Sequence, residues 1–259
     1  MVVAKTSCGF FLCLLLSCSL LAGQSSVAGL PKEAYILERR PLAIVGYPNR
    51  ELVLWMLHPE RHPSLYSFGQ GDRYTCPEMT RGSYLSGALR VTLVDTQQLS
   101  VVNTVEVKDF EGNDSFDIPF AILKNIFYRT TTESESKESK PIVMWLRDYV
   151  GSGKPLQFAL FQALYCMGLQ TTLIGYEPDQ DRVQQYETKL RVSEGRETQT
   201  NTVRWVDYLF SEKPVESGHW KYKIDYRGRC GSLDSYDIRF VPEAHRFEGM
   251  LERTASSCK

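Results

Sequence analysis

PIVMWLRDYVGSGKPLQFALFQALYCMGLQTTLIGY, residues 141–176, decides how the rest of the chain is read. Ile142, Val143, Met144, Trp145 and Leu146 form a continuous apolar run of strand length. Residues 148–154 are a turn by composition, with Gly151 and Gly153 available for positive φ. Pro155 suits the first position of a helix, where its missing N–H costs nothing. Residues 156–167 are apolar nearly all round, interrupted by Gln157 and Gln162, which predicts one buried helix over about 155–168. Gly168 is placed to stop that helix in a left-handed turn, and residues 171–176 read as a strand leading out. The apolar run is shorter than the roughly 20 residues a membrane span needs.

Outward from this centre the chain alternates. Leu89, Val91 and Leu93 share one face, the polar run 95–98 breaks the pattern, and Val101, Asn103, Val105 and Val107 resume it, a hairpin signature. Residues 51–57 are a short apolar strand, and residues 30–49, with little periodicity, an irregular arm. Towards the C-terminus, 182–192 reads as one strand and 203–210 as another. Trp220, Tyr222, Ile224 and Tyr226 face one way, with Lys221, Lys223 and Asp225 opposite, and Tyr236, Ile238 and Phe240 return beside them. These readings predict an α+β fold, a mostly antiparallel sheet of hairpins packed around the one buried helix. Two polar stretches, 130–140 (TTESESKESK with its preceding Thr) and 193–201, are expected to be mobile loops within a single domain over 29–259.

The first 28 residues have the form of a signal peptide: Lys5, then an apolar stretch over 8–22, then small and polar residues. Cleavage after Ala22 or after Ala28 suits the small residues there. The run Leu15-Leu16-Ser17-Cys18 also resembles a bacterial lipobox, with Cys18 as the lipidated residue, although Ser19–Ala22 continues the apolar stretch. Contact with a membrane is therefore expected only through the leader or that lipid. The expected location is secreted, periplasmic or cell-envelope. Without the leader, the seven cysteines reduce to Cys76, Cys166, Cys230 and Cys258. An oxidising compartment permits a bridge, and Cys76 with Cys166 is the favoured pair, a buried free thiol at Cys166 being the alternative.

A net charge of −1, with 30 basic and 31 acidic residues, offers nothing to attract nucleic acid. No G-x-S-x-G elbow, Walker A loop, G-x-G-x-x-G fingerprint or CxxC pair is present. His58-Pro59-Glu60-Arg61-His62 gathers two imidazoles and a carboxylate, but its prolines and spacing break the HExxH pattern, so no metal site and no cofactor are expected there. Arg147-Asp148-Tyr149-Val150-Gly151-Ser152-Gly153-Lys154 resembles the calcium loops of EF-hand, dockerin and FG-GAP repeats. In that resemblance Asp148 and Ser152 would be ligands, while Val150 and Ala159 stand where oxygen donors belong. Read from its own residues, the loop is a tight turn in which Asp148 bonds backbone amides.

Carboxylates recur in the last third: Asp207, Asp225, Asp234, Asp237 and Glu248, near Trp205, Trp220 and Tyr222. Trp205, Trp220, Tyr222 and Asp225 are the candidate ligand face. The functional expectation is a non-catalytic exported protein binding a protein or carbohydrate partner. The alternative is a secreted hydrolase of envelope or extracellular polysaccharide that uses a pair of those carboxylates.

Overall fold

RELVLWML, residues 50–57, shows how the architecture starts. Leu52, Leu54 and Met56 enter one core, while Val53 and Trp55 enter another on the opposite face. The computed structural model describes residues 27, 29–62, 84–108, 143–164, 168–226 and 231–255. In chain order the strands are β1 (Ala34–Pro41), β2 (Arg50–Leu57), β3 (Glu60–His62), β4 (Tyr84–Ser86), β5 (Leu89–Asp95) and β6 (Ser100–Glu106). Next come β7 (Gln157–Leu164), β8 (Gly168–Glu177), β9 (Arg182–Gln185), β10 (Thr188–Glu194) and β11 (Glu197–Val203). The last are β12 (Val206–Asp207), β13 (His219–Asp225), β14 (Ser232–Val241) and β15 (Arg246–Ala255).

Three sheets carry the core. The first is antiparallel in the order β1-β2-β5-β6, and β3 and β4 form a separate two-stranded ribbon. The middle sheet runs β12-β8-β7, with β9 also paired to β8. The third runs β11-β10-β15-β14-β13 and is antiparallel except where β10 lies parallel to β15.

The buried helix expected over 155–168 is absent; that expectation is corrected, because residues 157–164 are β7. The fold is mostly β, and among the described residues the only helical pieces are short 3-10 turns such as Pro178–Gln180 and Pro242–Ala244. The physical reason lies in the middle sheet's two covered faces. Phe158 and Leu160 join Ile174, Tyr176 and the first sheet in one cluster; Ala159 and Phe161 join Leu173 and the third sheet in another. A strand covered on both faces needs apolar residues at every position, which erases the period-2 signal. Gly175 fits the same strand pair: a Cβ there would lie 2.5 Å from Gln157 Cγ and 3.0 Å from its Cα.

Other expectations shift for related reasons. The arm over 30–49 contains β1, whose alternation is broken by a bulge between Ile36 and Glu38. Residues 143–146 form no strand, although Arg147 bridges Gln157. The single strand expected over 182–192 is two, β9 and β10, separated at Tyr186 and Glu187. The stretch 193–201, expected as a loop, is largely the β10–β11 hairpin. It is exposed, but its polar residues form strands because Gly195, at φ 60, folds them back on one another. Segment 130–140 lies outside the described residues, as do the leader up to residue 26, Cys18, Cys76 and Cys166.

Side-chain amides join the sheets. Asn103 on β6 donates to Val183 O at 2.8 Å and accepts from Val183 N at 2.9 Å. Gln185 does the same for residue 108, donating to Lys108 O at 3.2 Å and accepting from Lys108 N at 2.9 Å. The first and middle sheets are thus linked by amides that mimic a strand's peptide groups. The middle and third sheets meet at buried Glu177, which accepts from the Tyr186 hydroxyl and lies 3.1 Å from His245 Nδ1.

Candidate functional site

The site is assembled from four strands around Asp207. β12 pairs with the start of β8, placing Asp207 opposite Gln170. Thr171 Oγ1 donates to Val206 O at 2.9 Å and accepts from Phe210 N at 3.2 Å, while Tyr208 N donates to Leu169 O at 2.8 Å. These bonds hold Tyr208 in the left-handed region at φ 57, an uncommon conformation for an aromatic residue. From the third sheet, Tyr222 and Tyr236 stand opposite each other on β13 and β14, their rings stacked at 4.7 Å and 4°.

Tyrosine hydroxyls converge on the aspartate. Tyr222 OH donates to the Asp207 backbone O at 2.6 Å, Tyr236 OH to Asp207 Oδ2 at 3.3 Å, and Gln170 Nε2 to Asp207 Oδ1. Burial raises the Asp207 carboxyl above the usual carboxylate range, and the nearby charge of Asp234 adds to it against these hydrogen bonds. Burial, with the aspartate's negative charge, likewise raises Tyr208, Tyr222, Tyr226 and Tyr236. Tyr208 and Tyr226 are only half-buried.

The other carboxylates of the last third divide between two faces. Asp234, 1% exposed, shares the inner face with Tyr236 and is held by Arg253 through bonds of 3.0–3.2 Å, with Ser232 Oγ also donating to it. Asp237 is on the outer face, 2.7 Å from His219 Nε2 and 3.0 Å from Lys221 Nζ. Burial acts to raise the Asp237 carboxyl, but His219 and Lys221 outweigh it and hold it low. Glu248 pairs with Arg246, and Asp225 is exposed.

Of the expected ligand face, only Tyr222 belongs to this cluster. Trp205 and Trp220 are 5% and 2% exposed and sit in two different cores. Trp205 Nε1 donates to Lys108 O at 2.6 Å; Trp220 Nε1 donates to Glu212 O at 3.1 Å, its ring packed among Tyr149, Phe210 and Phe247. Gln170, Tyr208 and Tyr236 were not singled out by sequence. They have no common spacing, and only the meeting of β8, β12 and β14 brings them together.

Asp148 caps its own loop. Its Oδ1 accepts from Gly151 N at 2.9 Å and Ser152 N at 3.0 Å, and its Oδ2 from Gly153 N at 2.7 Å. The carboxylate therefore spends its lone pairs on backbone amides, and Ser152 Oγ lies 3.4 Å from the same Oδ1. Among the described residues no group of three or more His, Cys, Asp or Glu side chains could hold a metal ion. No helix among them is long and apolar enough to cross a membrane. No family model, curated protein or solved structure matches the chain.

Proposed function

We propose that the chain is an exported, non-catalytic binding protein that recognises a hydroxyl-rich ligand, of carbohydrate class, at the Asp207 cluster. The observation that carries this reading is the convergence of the Gln170 amide and the Tyr236 hydroxyl on the half-buried carboxyl of Asp207, with half-buried Tyr208 next to it in the chain. Aromatic rings offer apolar faces to sugar C–H groups, while amide, phenol and carboxyl groups at their rim exchange hydrogen bonds with hydroxyls. Export rests on the leader. Val27, buried beside the outer face of the first sheet, supports cleavage after Ala22 over cleavage after Ala28.

One observation favours the hydrolase alternative: burial shifts the Asp207 carboxyl upward, the direction a general acid requires. Against it, Asp234 is the neighbouring inner-face carboxylate, and Arg253 already occupies it. Calorimetry and turnover assays on a panel of soluble glycans separate the two. The binding reading expects heat without product, and at least a tenfold loss of affinity in Tyr208→Ala and Asp207→Ala. Hydrolysis by the wild-type protein that disappears in Asp207→Asn would establish the alternative. Absence of both binding and turnover across the panel would remove the carbohydrate assignment.

A further inference from the structure

The outer strands of these sheets are unequal. β1 ends in Arg39, Arg40 and Pro41 and carries a bulge. β6 is joined to β9 through Asn103, and β13 presents Lys221, Lys223 and Asp225 on its outer face. Charge, proline, bulges and cover are the usual means of stopping one sheet edge from pairing with another. β11, ETQTNTV, has no lysine, proline or bulge. It pairs with β10 in unbroken register, is exposed from Glu197 to Thr202, and among the described residues has a strand neighbour on one side only.

Its outward backbone can be assigned. Gly195 at φ 60 occupies the first central position of a two-residue hairpin loop, which closes with a hydrogen-bonded Glu194–Glu197 pair. Hydrogen-bonded and non-bonded pairs then alternate along the ladder, so Thr198, Thr200 and Thr202 turn their N–H and C=O groups away from β10.

We propose that β11 is a self-association edge, and that two copies of this chain join antiparallel through it about a two-fold axis at Thr200. The strand is complementary to its own reverse. Thr200 meets the partner's Thr200, Thr198 meets the partner's Thr202, Gln199 meets the partner's Asn201, and Glu197 meets the partner's Val203. Threonine and amide pairs of this kind stabilise cross-strand contact, and no like charges stand opposite one another. Arg191 lies one strand behind Thr200. The two copies' Arg191 are therefore three strand spacings apart, roughly 14 Å, beyond a Debye length at physiological salt. An isologous contact of this type closes as a dimer.

Sedimentation of the purified full chain over a concentration series tests this. A twofold rise in mass with concentration is expected for the wild type, and a constant single-chain mass for Thr200→Lys, its circular dichroism unchanged. Register is tested by mixing separately prepared Gln199→Cys and Asn201→Cys proteins under oxidation. A new cross-linked dimer is expected in the mixture, absent from either variant alone and from the wild type. If Thr200→Lys fails to fold, the mixed cross-link decides by itself. A wild type that stays single-chain at every concentration, or a mixture without the new cross-link, overturns the proposal.

Discussion

Arg50 holds carboxylates from two sheets with one guanidinium. Its Nη1 lies 2.5 Å from Asp95 Oδ2, while Nε and Nη2 reach the two Asp181 oxygens at 2.9 and 2.5 Å. Tyr176 OH donates to Asp181 Oδ1 at 2.9 Å. Asp95 is held below the usual carboxylate range first by the Gln98 amide and then by Arg50, and Asp181 chiefly by Arg50. A depressed carboxyl contributes stability above its unfolded value, about 3.9, and loses it as pH falls through the lower folded value. Arg50→Met should therefore melt well below the wild type at pH 7, with the gap narrowing as pH drops below about 4. Thermal scans at both ends of that window check it; a gap independent of pH would assign the loss to packing alone. At this scale sequence reading worked where the partners are local. Asp148 and the amides three to five residues on form such a group, whereas Arg50 and Asp181, 131 residues apart, do not.

Turns and edges set the elements. The β8–β9 and β14–β15 hairpins use related four-residue connections, Pro178-Asp179-Gln180-Asp181 and Pro242-Glu243-Ala244-His245, each ending in a left-handed residue followed by arginine. Proline sets the first φ, and the last residue turns the chain back into a strand. This shared pattern stands in the sequence, but the two turns are 64 residues apart in different sheets and their flanking strands differ in composition. Between sheets, Asn103 carries a load that no backbone group can. Asn103→Leu leaves the Val183 N–H and C=O without their partner, so a loss of about 1–3 kcal/mol in denaturant unfolding is expected. An unchanged midpoint would show that the two groups find other partners. Period-2 alternation was legible where a strand has one covered face, as in β13 and β14.

Among the described residues three sheets carry the core, and the middle one is apolar on both sides. Phe158, fully buried on β7, touches the core shared with the first sheet. Phe158→Ala should cost about 3–5 kcal/mol of unfolding free energy, the range for emptying a large buried site. Urea unfolding followed by intrinsic fluorescence measures it. A cost below 1 kcal/mol, on the order of a surface change, would mean that this face of β7 is not packed as described. By itself the sequence determined that the chain is rich in strands, that residues 89–106 and 219–251 are hairpins, and that Asp148 heads a turn. In each case the pattern is local, because one face of the strand meets water or the partner lies a few residues away. Only the tertiary structure decided the rest. Residues 157–164 became a strand because neighbouring sheets cover both its faces, removing the alternation that would have marked it. Gln170, Asp207, Tyr208 and Tyr236 became one cluster because strands far apart in the chain pair and pack there, and no spacing in the sequence records such a meeting.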